Sequence, residues 1–309
     1  MPGPMPLDGV VVADFSRVLA GPLAASTLAD LGADVIKVER AGAGDDTRQW
    51  GPPWTENSSS YFESANRGKR SIALDFGDPA DLEVAHRLVE RADVIVENFL
   101  PGSLDRFGLD YESVRALNPA VVYASITGFG SDAGAGAVGY DFLVQAVGGL
   151  MDITGPPGSP SKVGVAIVDV LVAKDATVAI LAALHERVRS GLGQHVEVAL
   201  LSSLLAALVN QASGFLATGH SPRSLGNRHP SIAPYEALDT GDGQPWVVGP
   251  GSVRAAGTGV FATGAPVAGS LSSPFTRRAV TNDYSRLPLD AGSGITPTSA
   301  SRRAGPAVG

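Results

Sequence analysis

The chain has 309 residues, 44% of them hydrophobic and 17% charged, and its formal net charge is −8. This composition is typical of a globular protein and supplies enough sequence for one large domain and part of a second. The absence of cysteine excludes disulfides, thiolate metal sites and a cysteine nucleophile. The negative charge argues against a nucleic-acid partner, because proteins that bind nucleic acid usually carry a basic surface.

The N-terminal residues contain no basic segment followed by an apolar run. No window reaches the roughly 18 consecutive apolar residues that a membrane span needs. We therefore expect a cytoplasmic protein without a membrane partner, and the sequence predicts no metal site.

The chain begins with the order strand, helix, strand that opens a Rossmann-like domain. Residues 10–15 and 33–39 are predicted strands, and residues 23–32 form the predicted helix between them. The turn at 16–22 lacks the G-x-G-x-x-G that lets a pyrophosphate approach a helix N-terminus. A dehydrogenase is therefore disfavoured, although Glu39 ends the second strand where a ribose-binding acid can lie.

A polar stretch between residues 40 and 70 is a predicted functional loop that is rich in cations, and two more cations precede it. A single charge of this kind usually lies on the solvated surface. Several near the ends of parallel strands can instead meet phosphates in the crevice where open α/β sheets bind ligands. These cations are Arg17, Lys37, Arg40, Arg48, Arg67, Lys69 and Arg70.

Strands and helices continue to alternate as far as residue 218, which predicts a mainly parallel sheet covered by helices. One buried strand ends in Asn98 and Phe99, at the edge where a ligand would bind. The Asn98 amide can equally cap the following loop. The predicted strands are 71–76, 93–99 and 120–130, the helices are 79–92, 111–118 and 140–155, and 195–218 gives one more strand and one long helix.

The stretch from Val163 to Gln194 combines an apolar approach with a long apolar helix, and Asp169 lies where that helix should begin. One interpretation is an N-cap, because Asp side chains satisfy free N–H groups of a first helical turn. The other is a nucleophile, because the positive end of the helix dipole favours the ionised carboxylate that covalent catalysis requires. These residues alone favour the cap.

Blocks in collinear order, among them FSRVLAGP, NRGKRSIALD, ENFLPGSLDRFG, GVAIVDVL and GNRHPSIAPYEALDTGDG, run from Leu7 to Val248. They resemble the family III CoA-transferases, which include formyl-CoA transferase, carnitine CoA-transferase and α-methylacyl-CoA racemase. The resemblance implies transfer of CoA between carboxylic acids, in which Asp169 attacks an acyl-CoA thioester. A mixed anhydride and an enzyme–CoA thioester follow, with acyl-CoA and a carboxylic acid as partners and no permanently bound cofactor.

The same resemblance implies a set of CoA contacts and a homodimer that the completed second domain would support. Arginine suits such contacts, because its guanidinium can pair with phosphate and stack on adenine. The contacts carried over to this sequence are Val18, Leu19, Arg40, Leu74, Asn98, Phe99 and Arg106.

The sequence departs from the family pattern at three places. Tyr140 stands where racemases have a histidine, so the imidazole of that proton exchange is missing and racemase activity is disfavoured. Lys174 and Asp175 add two charges to a helix that should be packed, which puts the local geometry in doubt. Beyond Pro250 the chain is rich in small residues and lacks Lys and Glu, which predicts a disordered tail.

We therefore predict a Rossmann-like catalytic domain at 1–218, a linker and incomplete second domain at 219–249, and a tail at 250–309. A shifted reading frame or a truncation would explain the tail, and a natural flexible tail is the alternative. Resequencing codons 240–255 separates the two, since a frame shift requires a single-base change that restores a family-like continuation. Two functions remain: an active CoA-transferase, or a remnant that binds CoA without turnover.

Overall fold

A computed structural model describes residues 5–233, 235–239, 245–248 and 261–262 of the chain. Its main sheet has six strands, all parallel, in the order β3-β2-β1-β4-β5-β6. This is the strand order of the doubly wound Rossmann fold, so the predicted fold class is confirmed. The strands are Val11–Asp14 (β1), Asp34–Arg40 (β2), Lys69–Leu74 (β3), Val94–Glu97 (β4), Val122–Thr127 (β5) and His195–Ala199 (β6).

Helices connect the strands and cover both faces of the sheet. The described α-helices are Ala20–Asp30 (α1), Ser60–Asn66 (α2), Pro79–Val89 (α3), Tyr111–Leu117 (α4), Asp141–Val147 (α5), Leu150–Ile153 (α6), Ile167–Ser190 (α7), Leu200–Ala207 (α8) and Val209–Thr218 (α9). Short 3-10 helices lie at Asp46–Gln49 and Asp105–Phe107. The second of these carries Arg106.

Each face of the sheet packs against its own apolar cluster, and successive side chains of β4 point alternately into the two clusters. Val94 and Val96 pack in the cluster that includes α1, α7 and α8, whereas Ile95 packs in the cluster that includes α3 and α4. Helix α7 contributes fully buried side chains such as Ile180 to the first cluster. Burying one such side chain stabilises the fold by about 1.5–3 kcal/mol, so α7 is fixed firmly against the sheet.

Three predicted segments differ from the structure. The helix predicted at 140–155 is α5 and α6, broken at Gly148 and Gly149, and Gly149 has a φ of 78° that suits glycine. The long helix predicted before residue 218 is α8 and α9, which meet at an angle of 78°. The polar stretch after residue 40 contains α2 and a 3-10 helix rather than loop alone.

A second sheet of three antiparallel strands has the order β7-β8-β9, with strands Glu236–Asp239, Pro245–Val248 and Phe261–Ala262. The last strand falls within the segment predicted as a disordered tail, and the rest of 250–309 lies outside the described residues. The predicted domain boundaries stay predictions. In the described part of the chain no single helix is long and apolar enough to cross a membrane, and α8 with α9 meets that test only as a bent pair.

Candidate functional site

Two neighbouring cavities hold all the residues predicted for the site. The first, of about 500 Å³, is lined by Arg40, Leu74 and Arg106 and is called the Arg40 cavity. The second, of about 280 Å³, is the Asp169 cavity, and Val18, Leu19 and Asn98 lie on its wall with Asp169. Arg17 and Phe99 line both cavities, so the two sites adjoin.

Asp169 is the third residue of α7, not its N-cap. The cap position belongs to Ala166, whose side chain has no acceptor. The Val168 N–H is taken instead by Asp141 Oδ1 at 2.7 Å. The predicted N-cap role of Asp169 is therefore wrong, because a carboxylate from another helix already occupies the first turn.

The electrostatic setting of Asp169 also differs from the prediction that the helix N-terminus keeps it ionised. Burial, and then the nearby Asp141 carboxylate, raise the pKa of Asp169 from 3.8 to about 7. At the start of α7 the hydrogen bond from Val168 N–H goes to Asp141 and not to Asp169. The positive end of the helix therefore stabilises the Asp141 charge directly. Near neutral pH Asp169 is thus divided between the carboxylate and the carboxylic acid.

The Asn98 side chain fixes the turn after β1. Its Oδ1 accepts from the Arg17 N–H at 2.8 Å, and its Nδ2 donates to the Arg17 carbonyl at 2.8 Å. The next residue, Val18, has a φ of 69°, which is unusual for a β-branched side chain. Of the two predicted roles, loop capping is thus the one that the Asn98 amide fills here, at the wall of the Asp169 cavity.

Most of the cations predicted to meet phosphate are already paired with carboxylates. Four salt bridges use them: Lys37–Asp45, Arg48–Glu39, Arg67–Asp30 and Arg70–Asp34, and a fifth joins Lys69 to Asp14. Glu39, considered as a ribose-binding acid, is held by Arg48 and Ser71, and its pKa falls to about 2 because these hydrogen bonds outweigh its burial. These five cations are therefore less available to a phosphate than the sequence suggests, although Lys37 still lines the Arg40 cavity.

Three arginines remain to face the cavities. Arg17 and Arg40 approach Asp46 only at 3.9 and 3.8 Å, and all three guanidinium groups lie at the surface. Arg17 lies over the Phe99 ring at 5.2 Å, and Arg106 over Phe107 at 4.5 Å. Their charge is thus available to an anionic ligand at the Arg40 cavity.

Two residues near Asp169 gave no functional signal in the sequence. Tyr61, on α2, has a raised pKa because of burial and then the charges of Asp169 and Asp141. Asp141 is the first residue of α5 and directly follows Tyr140 in the sequence. Both approach Asp169 through the tertiary fold, which a local sequence pattern does not reveal.

The remaining sequence features have structural explanations. Lys174 and Asp175 point to solvent, and Asp175 accepts from the Ser203 hydroxyl at 2.6 Å, so the doubt about two charges in a packed helix is removed. In the glycine-rich loop after β5, a Cβ on Gly128 would lie 2.5 Å from Gly139 Cα, so these glycines let the two ends of the loop touch. No group of residues in the described ranges could hold a metal ion.

The fold and the two cavities define a Rossmann-like α/β protein with a carboxylate beside an arginine-lined crevice. The sequence model of CoA-transferase family III matches residues 7–270, and the chain belongs to this family. The match continues past Pro250, where the sequence had predicted a departure from the family.

Relatives and solved structures agree with this assignment. The chain is 50% identical over 246 residues to succinate–glutarate CoA-transferase of Agrobacterium fabrum, covering 77% of this chain and 62% of that protein. It is 45% identical over 249 residues to succinyl-CoA:glutarate CoA-transferase of Mus musculus, covering 80% and 57%. The chain therefore spans less than two thirds of the length of either relative.

A solved structure of a CaiB/BaiF family protein from Brucella suis is 49% identical in sequence and superposes with a TM-score of 0.75. The superposition covers 80% of this chain and 66% of that one. The similarity therefore extends over most of this chain.

Proposed function

We propose that this chain transfers CoA between carboxylic acids, with Asp169 as the nucleophile. The carrying observation is that the Asp169 carboxylate lies on the wall of a cavity that adjoins the arginine-lined Arg40 cavity. An acyl-CoA matches this pair of cavities, because it has an anionic nucleotide at one end and a reactive thioester at the other end. Arg40 and Arg106 would hold the phosphates, and the thioester would reach Asp169 past Phe99.

The reaction follows from carboxylate and thiolate exchange at acyl carbons. An Asp169 oxygen bonds to the acyl carbon of the donor, the C–S bond breaks, and CoA leaves as the thiolate. The thiolate then attacks the Asp169 carbonyl of the mixed anhydride, which gives an enzyme–CoA thioester and releases the donor acid. The acceptor carboxylate attacks this thioester, and the freed thiolate attacks the acceptor acyl carbon, which regenerates Asp169.

The acids are proposed to be short dicarboxylic acids. The relatives with the printed names succinate–glutarate and succinyl-CoA:mesaconate CoA-transferase support this class. Tyr140, on the wall of the Asp169 cavity, stands where a racemase would need an imidazole, which supports acid exchange over racemisation. Succinyl-CoA with glutarate is accordingly the first pair to test.

We expect the purified protein to form glutaryl-CoA from succinyl-CoA and glutarate, and Asp169→Asn to reduce this turnover by at least about 10³-fold, because the variant lacks the nucleophile. Chromatography of the CoA esters measures both. Hydroxylamine trapping with mass spectrometry should place the intermediate on Asp169. A full rate in Asp169→Asn would contradict the assignment of the nucleophile, and CoA binding without turnover would favour the remnant.

The nucleotide end has its own test. Arg40→Gln and Arg106→Gln should each weaken CoA binding by roughly tenfold, since a charge-assisted contact contributes about 1.5–3 kcal/mol. Arg70→Gln is the matched control, because this arginine pairs with Asp34 outside both cavities. Equal affinities in all three variants, measured by calorimetry, would contradict phosphate binding in the Arg40 cavity.

We also propose that the protein acts as a homodimer in the cytoplasm. Exposed apolar side chains on α5 and α9, including Phe142, Val147 and Leu216, support a partner subunit, because such side chains are usually covered. A reducing compartment keeps the CoA thiol free, which supports the location. Light scattering at several protein concentrations tests the dimer, and a monomer mass throughout would contradict it.

A further inference from the structure

The first turn of α7 is capped by a residue outside that helix. A helix leaves its first N–H groups without internal partners, and the N-cap side chain usually accepts from one of them. Ala166 cannot do so. Asp141, the first residue of α5, supplies the missing acceptor through Oδ1, which lies 2.7 Å from Val168 N and 27 positions away in sequence.

A buried glutamine extends this contact to the segment before the helix. Gln145 lies one turn further along α5 and has no exposed surface. Its Nε2 donates to Asp141 Oδ2 at 2.6 Å, and its Oε1 accepts from Val163 N at 2.8 Å. Asp141 and Gln145 therefore fasten the chain on both sides of the turn that leads to Asp169.

This arrangement determines what Asp169 can do. An aspartate in the first turn of a helix can fold back onto free N–H groups of its own helix. Here the Val168 N–H already donates to Asp141. Within the described residues, no donor forms a hydrogen bond with the Asp169 carboxylate, which lines its cavity.

We propose that Asp141 and Gln145 are positioning residues for acyl transfer. Asp141 caps the nucleophile's helix in place of Asp169, and Gln145 holds Asp141 and the approach to the helix, so that the Asp169 carboxylate stays free to attack. The proposal rests on the proposed function, since it concerns the same nucleophile.

The Asp141 charge adds a second effect on the same carboxylate. Other ionisable groups face Asp169 as well: Tyr61 from α2, and Arg17, Asp46 and Tyr140 around the cavity. Burial and then Asp141 raise the pKa of Asp169 to about 7. A carboxylate of higher basicity is a stronger nucleophile once ionised, so this repulsion favours attack on the thioester.

Asp141→Asn removes the charge and keeps an amide oxygen that can accept from Val168 N, but it also removes the acceptor of the Gln145 Nε2 hydrogen bond. We expect the pKa of Asp169 to fall by roughly one unit in this variant, since a like charge has been removed. The ¹³C signal of the Asp169 carboxyl carbon, assigned by its loss in Asp169→Asn, reads that pKa without substrate. Asp78→Asn is the control, because Asp78 also accepts from a first-turn N–H, as the N-cap of its own helix α3, at a site outside both cavities.

Catalysis gives the second readout. The acid limb of the kcat/KM profile for glutaryl-CoA formation should move to lower pH in Asp141→Asn and stay in place in Asp78→Asn. Gln145→Leu should lower kcat by roughly tenfold, because loss of position slows attack, with KM less affected. An unchanged acid limb and an unchanged ¹³C titration in Asp141→Asn would overturn the role of the charge, and unchanged kcat in Gln145→Leu would overturn the positioning role.

The two proposals can fail separately. A shifted ¹³C titration in a protein without turnover supports the inference and contradicts the proposed function. Turnover together with identical ¹³C titrations in the unmodified protein and in Asp141→Asn supports the proposed function and contradicts the inference. If Asp141→Asn does not fold, hydrogen exchange of the Val168 amide in the unmodified protein decides: strong protection supports the cap, and exchange as fast as in an unstructured peptide overturns it.

Discussion

Asp169 combines two properties that oppose each other at neutral pH. A nucleophile has to be ionised, whereas burial and the Asp141 carboxylate favour the protonated form and raise the pKa to about 7. The ionised fraction, and with it the rate expected of the proposed attack, therefore rises as the pH passes through about 7 and continues to rise above it. The charge that hinders ionisation also makes the ionised group more basic.

The same pKa shift makes stability depend on pH at this residue. The folded state holds the Asp169 proton up to a pH of about 7, whereas the unfolded chain releases it near 3.8. Folding therefore loses stability as pH rises between these values. Asp169→Asn should raise the free energy of unfolding at pH 8 by on the order of 1–3 kcal/mol, and by much less at pH 4. Urea unfolding at both values measures this, and an equal effect at pH 4 and pH 8 would contradict the shift.

At the scale of elements, the turn between β1 and α1 depends on a clamp from the neighbouring strand. Asn98, which follows β4, holds Arg17 by two hydrogen bonds, and Val18 beside it keeps a backbone conformation that costs free energy. Asp45 Oδ2 also accepts from the Val18 N–H, at 3.3 Å. The turn is thus shaped by contacts with two other segments.

Asn98→Ala should lower the free energy of unfolding by about 1–3 kcal/mol and raise KM for acyl-CoA several-fold, because two hydrogen bonds are lost and the turn can relax. Asn118→Ala is the control: Asn118 also bonds backbone groups, at Val89 and Ala92, but lies outside both cavities. It should lose similar stability with KM unchanged. Equal KM values in the two variants would show that the clamp does not shape the binding site.

The sequence predicts local features of these elements better than their partners. Hydrophobic periodicity and the turn residues between segments locate the strands. The family resemblance selects Asp169 and the cavity residues around it. The cap from Asp141 is not predicted, because it depends on a contact 27 positions away in sequence. The availability of the cations is overestimated for a similar reason, because a local pattern does not show which carboxylates the fold brings beside them.

For the whole molecule, buried ion pairs tie the strands of the N-terminal half together. Lys69 on β3 contacts Asp14 on β1 at 2.8 Å, and both side chains are almost fully buried. Although burial opposes ionisation, Lys69 and Lys37 hold the pKa of Asp14 below its usual value. Strands β1 and β3, which lie on either side of β2 in the sheet, are therefore joined by charges that water screens little.

Lys69→Met should destabilise the protein by about 3–5 kcal/mol, because it leaves the Asp14 charge buried without its partner. Arg70→Met removes the adjacent residue on β3, whose pair with Asp34 is exposed, and should cost less than about 1 kcal/mol. Thermal and urea unfolding measure both variants. Similar losses in the two would show that burial of the Lys69 pair contributes little.

The Asn98–Arg17 clamp has a further consequence for how this fold accepts a ligand. In open α/β sheets a dinucleotide enters the gap where the strand order reverses, here between β1 and β4, and glycines leave that gap clear. In this protein the Asn98 amide bonds across that gap to the backbone of Arg17, and the Asp169 cavity opens beside this contact. The turn after β1 is therefore shaped by a side chain that follows β4, in place of the glycines that shape it in dinucleotide-binding sheets.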